Sequence, residues 1–84
     1  MRVGTQYTGT VNRNGKLNVF TWGWNPKKHV FWHIVPVSPR PGGPQLDWDV
    51  EVERANNSQV TYWLKVKNLT NQDVRFEMRY AILN

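Results

Sequence analysis

The chain has 84 residues, no cysteine, and a formal net charge of +5 from eleven Lys and Arg against six Asp and Glu. A chain this short makes one domain, residues 1–84, burying only about 60–65% of its unfolded surface. Without cysteine there is no disulfide framework and no thiolate zinc site, so the missing stability falls to aromatic burial or self-association, and a homo-oligomer is expected.

The first predicted strand covers residues 3–11 and the second 17–24, joined through Asn14-Gly15, a pair that accepts the positive φ of a type I′ hairpin turn. Counting outward sets Tyr7 opposite Trp22, Thr5 opposite Trp24 and Gly9 opposite Phe20, with Gly9 making room for the Phe20 ring. One hairpin face then gathers Tyr7, Phe20, Trp22 and Trp24. Because the other side of 17–24 offers only Leu17, Val19, Thr21 and Gly23, Phe20 and at least one of the tryptophans are expected to be buried.

Asn25-Pro26-Lys27-Lys28 breaks the pattern. The third strand, 29–37, is apolar on both sides, with Val30, Trp32 and Ile34 on one and Phe31, Val35 and Val37 on the other. It is therefore central between two layers or has one face covered by another chain. Three prolines make 38–44 a loop.

Alternation is clearest beyond that loop. Leu46, Trp48, Val50 and Val52 point one way while Asp47, Asp49, Glu51 and Glu53 point the other. After a turn through 55–59, Val60, Tyr62, Leu64 and Val66 alternate with Thr61, Trp63, Lys65 and Lys67. Aligning the apolar faces pairs Trp48 with Val66, Val50 with Leu64 and Val52 with Tyr62, which sets Asp47 opposite Lys67 and Asp49 opposite Lys65. The last strand, 74–82, turns Val74, Phe76, Met78, Tyr80 and Ile82 inward and Arg75, Glu77 and Arg79 outward, completing a predicted three-stranded meander. Six short strands without helical periodicity predict an all-β fold, a small antiparallel β-sandwich or jelly-roll-like domain, with a small β-barrel as the alternative.

Several function classes lose support. The basic residues are dispersed, with Lys27-Lys28 the longest run, which disfavours nucleic acid. His29 and His33, four apart on a strand, lie about 13 Å apart and cannot share a metal. The carboxylate ladder of Asp47, Asp49, Glu51 and Glu53 is explained by ion pairing to Lys65 and Lys67. Asn56-Asn57-Ser58 and Asn68-Leu69-Thr70 match the glycosylation acceptor pattern but read as turns. No nucleophile motif or phosphate loop is present, so neither catalysis nor a cofactor is expected. No apolar run reaches the roughly 18 residues of a membrane span, and Met1-Arg2-Val3-Gly4 leads into a polar segment rather than a signal peptide, so no membrane insertion is expected. The expected state is soluble, cytoplasmic or released by a non-classical route.

Five tryptophans, at positions 22, 24, 32, 48 and 63, are many for so small a core. Trp48 and Trp32 sit in aliphatic series that read as core, whereas Trp63 falls in the outward series. An exposed indole stacks on a sugar's C–H face, on a base, or on another protein surface. A lectin-like carbohydrate-binding module is the leading expectation, with Trp22, Trp24 and Trp63 as ring contacts and Asn25, His33 and Arg79 binding hydroxyls. This rests on fold-level similarity to β-sandwich carbohydrate-binding domains. The alternatives are an interaction or self-assembly module, which explains strand 29–37 directly, and a single-stranded nucleic-acid-binding barrel using Trp22, Trp24 or Tyr7 beside Arg13, Lys27 and Lys28.

Overall fold

The computed structural model describes residues 1–84 as six strands: β1 (Arg2–Val11), β2 (Lys16–Trp24), β3 (Val30–Pro36), β4 (Leu46–Asn56), β5 (Gln59–Asn68) and β6 (Val74–Ile82). They form two antiparallel three-stranded sheets, in the orders β1-β6-β3 and β2-β5-β4, the arrangement of a small β-sandwich. Only the β4–β5 hairpin stays within one sheet; every other connection crosses from one sheet to the other.

The core is the contact between the two inner faces. Val11 from β1, Trp32 and Ile34 from β3, Leu64 and Val66 from β5, and Phe76 and Met78 from β6 form one buried cluster. The period-two pattern thus assigns inner and outer faces correctly along β5 and β6, where Val74, Phe76, Met78 and Ile82 are buried while Arg75 and Arg79 are exposed. The β4–β5 register is also as the apolar alignment requires, with Trp48 opposite Val66, Val50 opposite Leu64, Asp47 opposite Lys67 and Asp49 opposite Lys65.

Two predicted pairings are replaced. Residues 12–15 close a tight turn, Gly15 N–H donating to Asn12 O at 2.8 Å, but its central pair is Arg13-Asn14 and only Asn14 has positive φ (53°). The strands it joins belong to different sheets: β1 lies against β6, with Gly9 opposite Phe76, and β2 lies against β5, with Phe20 opposite Trp63. The turn is anchored from outside, by Asn14 N–H donating to Thr70 O and Asn68 N–H donating to Gly15 O. Gly9 accommodates the Tyr7 ring, not Phe20, since a Cβ there would stand 2.6 Å from Tyr7 Cε2.

The β4-β5-β6 meander is likewise broken, because β6 leaves β5 to become the central strand of the other sheet. Asn68, 1% exposed, organises this crossing. Its Nδ2 donates toward Val11 O, Asn12 O and Gln72 O, and its Oδ1 accepts from Thr70 N–H and the Thr70 hydroxyl. Its amide is therefore turn chemistry, as expected, and is inaccessible to a glycan.

Strand β3 is not central. It is an edge of its sheet, with its inner residues Trp32 and Ile34 buried and Phe31 exposed on the outer side. Trp48 is not core either. It lies on the inward side of edge strand β4, where it, Val50 and Val52 remain exposed in an unbroken row.

Candidate functional site

A bulge decides where the tryptophans of β2 go. The β2–β5 register runs regularly from Lys16 to Thr21 and then shifts between Thr21 and Trp24. Gly23, at the shift, has φ of 81°, a conformation that costs an L side chain steric strain. Up to the bulge Leu17, Val19 and Thr21 face inward while Asn18, Phe20 and Trp22 face out. The bulge resets the alternation, and Trp24 turns inward. It packs edge-on against Trp32, Tyr62 and Tyr80 at centroid distances of 5.3, 6.2 and 5.4 Å, and its Nε1 donates to the buried Thr21 hydroxyl at 3.1 Å. Trp32 Nε1 in the same cluster is buried with no hydrogen-bond acceptor.

The four-aromatic hairpin face is thereby divided. Tyr7 packs on Phe76 and Trp24 joins the inner cluster, while Phe20 and Trp22 stay outside and meet Trp63 from β5. Phe20, expected to be buried, is 52% exposed; Trp22 is 69% and Trp63 41% exposed. Phe20 stacks on Trp63 with centroids 4.9 Å apart and planes at 24°, and tilts against Trp22 at 5.6 Å and 37°. The group forms one continuous aromatic patch at one end of the outer face of the second sheet.

Carboxylates of β4 border the patch and hold it. Trp63 Nε1 donates to Glu53 Oε1 at 3.0 Å, orienting the indole, and Lys65 Nζ pairs with Glu51 Oε1 at 2.9 Å. Glu51's hydrogen bond and charge raise the Lys65 ammonium above the ordinary lysine value of 10.5. The ion pairing predicted for the ladder is thus present only in part: Lys65 pairs diagonally with Glu51 rather than with Asp49 directly opposite, and Lys67 forms no salt bridge with Asp47 across from it. Beyond the aromatics, Lys16, Asn18, Asp47, Asp49, Lys65 and Lys67 line a shallow cavity of about 240 Å³ together with Trp48 and Val66. Hydrogen-bonding groups therefore continue along the sheet from the aromatic end. No group of three or more His, Asp or Glu side chains is gathered to hold a metal, and no helix is long and apolar enough to cross a membrane.

Of the six expected site residues, the structure gathers Trp22 and Trp63 around Phe20 on one sheet and sets His33 beside Arg79 on the other, so no single site holds them all. Trp24 is inside. Asn25 caps the turn after β2, its Oδ1 accepting from Lys27 N–H. His33 and Arg79 are cross-strand neighbours on the outer face of the other sheet, so Arg79 does not stack on Trp63; its guanidinium pairs instead with Glu77. Phe20 is the patch member that sequence reasoning placed wrongly. Its signal was parity, since it lies two residues from Trp22 on the same side of β2. No family model, curated protein or solved structure matches the chain.

Proposed function

We propose that this protein is a non-enzymatic, lectin-like carbohydrate-binding module whose site is the outer face of the second sheet. Apolar C–H faces of a sugar stack on the exposed Trp22 and on the Phe20–Trp63 pair, while Asn18, Asp49, Glu51 and Lys65 exchange hydrogen bonds with hydroxyls. The observation that carries this reading is the exposed aromatic patch fixed by the Trp63–Glu53 bond and continuous with a polar field. Rings held by neighbours lose little freedom on binding, which favours affinity. A glycan-array screen tests it. Selective binding that disappears in Trp22→Ala and Trp63→Ala proteins of unchanged near-UV circular dichroism supports the proposal, and a blank array refutes it.

A second reading, self-assembly, is favoured by a different surface. Trp48, Val50 and Val52 lie in a row on the inward side of β4, and Val52 is 67% exposed. Apolar rows of this kind are commonly covered by another chain. Pairing β4 edge to edge with a second β4 would set the carboxylates of the two ladders opposite one another, so an assembly would use the apolar side rather than the strand edge. Sedimentation across a concentration series distinguishes this: a single monomer species at all concentrations removes the reading.

A further inference from the structure

The other outer face carries a separate concavity. Register aligns Val3, Ala81 and Phe31 in one row across β1, β6 and β3, and Thr5, Arg79 and His33 in the next. Ala81 contributes one methyl group on the central strand, so the flanking side chains cannot close over it, and both stay exposed, Val3 at 68% and Phe31 at 60%. The result is a trough of about 480 Å³ between two apolar walls, within the ~300–1,000 Å³ typical of small-molecule sites. Its polar end is already ordered. Arg79 donates from Nε and Nη2 to the same Glu77 oxygen, at 3.0 and 2.9 Å, which fixes the guanidinium plane and leaves Arg79 Nη1 and Glu77 Oε2 without protein partners.

We propose that this trough is a second carbohydrate site, taking one neutral pyranose unit with its C–H face on Phe31 and vicinal hydroxyls bound by Arg79 at the trough's end and by Glu77, which stands just beyond the lining residues. A diol offers a donor and an acceptor on adjacent carbons, which is the complement of the two unengaged atoms. Thr5 and His33 line the same end and supply further polar contacts. The nearby Glu77 carboxylate opposes an acidic ligand, and a concavity floored by one methyl group between the side chains of β1 and β3 admits a ring more readily than a flat protein surface. The ligand class rests on the carbohydrate reading above; the location does not.

Titrating ¹⁵N-labelled protein with cellotetraose and with mannotetraose tests both sites at once. Amides of Val3, Phe31 and Ala81 report the trough, and those of Phe20, Trp22 and Trp63 report the aromatic patch. Ala81→Leu fills the trough from an outward-facing position and is expected to weaken the first response by about tenfold or more, leaving the second unchanged. Trp22→Ala is expected to do the reverse. Phe31→Ala serves in place of Ala81→Leu if the larger side chain perturbs the fold. A trough response that survives both trough variants overturns the proposal, as does a response confined to the aromatic patch. Trough shifts that follow protein concentration without sugar show a second copy there and also overturn it. A response in the trough alone upholds it and removes the aromatic-patch reading, whereas silence at both sites with both sugars refutes the two together.

Discussion

Seven of the eleven aromatic residues form two groups on opposite sides of the second sheet, and the groups differ more in geometry than in composition. Trp24, Trp32, Tyr62 and Tyr80 meet between the sheets largely edge to face, in an arrangement that fills volume. Phe20, Trp22 and Trp63 lie outside, nearer to parallel, with much of their surface open to solvent. The inner group fills the interval between two layers; the outer group has only its own members and Glu53 for support. Which group a tryptophan of β2 joins is decided by strand parity and by one bulge at Gly23, not by residue type.

The sharpest way to break this comparison is to truncate one indole from each group. Trp32→Ala should lower the free energy of unfolding by about 3–5 kcal/mol, read as a lower urea midpoint, and Trp22→Ala should change it by no more than about 0.5 kcal/mol while abolishing glycan binding. Equal losses of stability in the two variants would mean that the outer group is structural. Asn68→Ala comes next, at about 2–3 kcal/mol, because it removes the buried amide that bonds Val11 O, Asn12 O, Gln72 O and Thr70 together where β5 hands the chain to β6. A Gly23→Ala substitution, which puts a Cβ at positive φ, should cost about 1–2 kcal/mol. Its tryptophan emission should move to the red as Trp24 loses its enclosed position; an unshifted spectrum would show that the bulge does not hold Trp24 inside.

The smallest expected effect is alkaline. Burial raises the Tyr62 phenol in the inner group above its ordinary 10.0, and Glu51 raises the Lys65 ammonium beside the outer group above 10.5. In both cases the folded chain holds its proton more tightly than the unfolded one. The added stability is therefore complete below the ordinary values and is lost as pH climbs past them through the raised ones. Urea midpoints followed from neutral pH upward should fall in that window, with Tyr62→Phe removing the inner contribution and Lys65→Met the outer. A profile identical in all three proteins would dismiss both.

Alternation made the strands, the inner faces of β4, β5 and β6 and the β4–β5 register legible in the sequence, because each follows from one residue's relation to the next; on β2 it was read from the wrong side. Sheet membership was not legible. A strand with one apolar face is satisfied equally by lying beside its neighbour or across from it, so Val74 to Ile82 read the same in a meander and in the opposite layer. The Asn14-Gly15 signal identified a chain reversal correctly but carried no information about partners. For the site, Trp63 was legible from parity, whereas Trp22 shared a side with Phe20 and Trp24 that alternation alone left unassigned. Placing Trp24 and Phe20 required the bulge at Gly23 and the knowledge that β1 lies elsewhere.

In the first sheet, β1 and β3 each pair only with β6, which has a consequence during synthesis. Made first and third, they have no strand to hydrogen-bond until residues 74–82 have left the ribosome. At about 5–20 residues per second, the nascent chain spends several seconds with β1 and β3 unpaired while the β4–β5 hairpin can already close. The last strand to emerge is thus the one that completes the sandwich, and a ribosome stalled before it would display two unpaired strand edges, a natural target for chaperones.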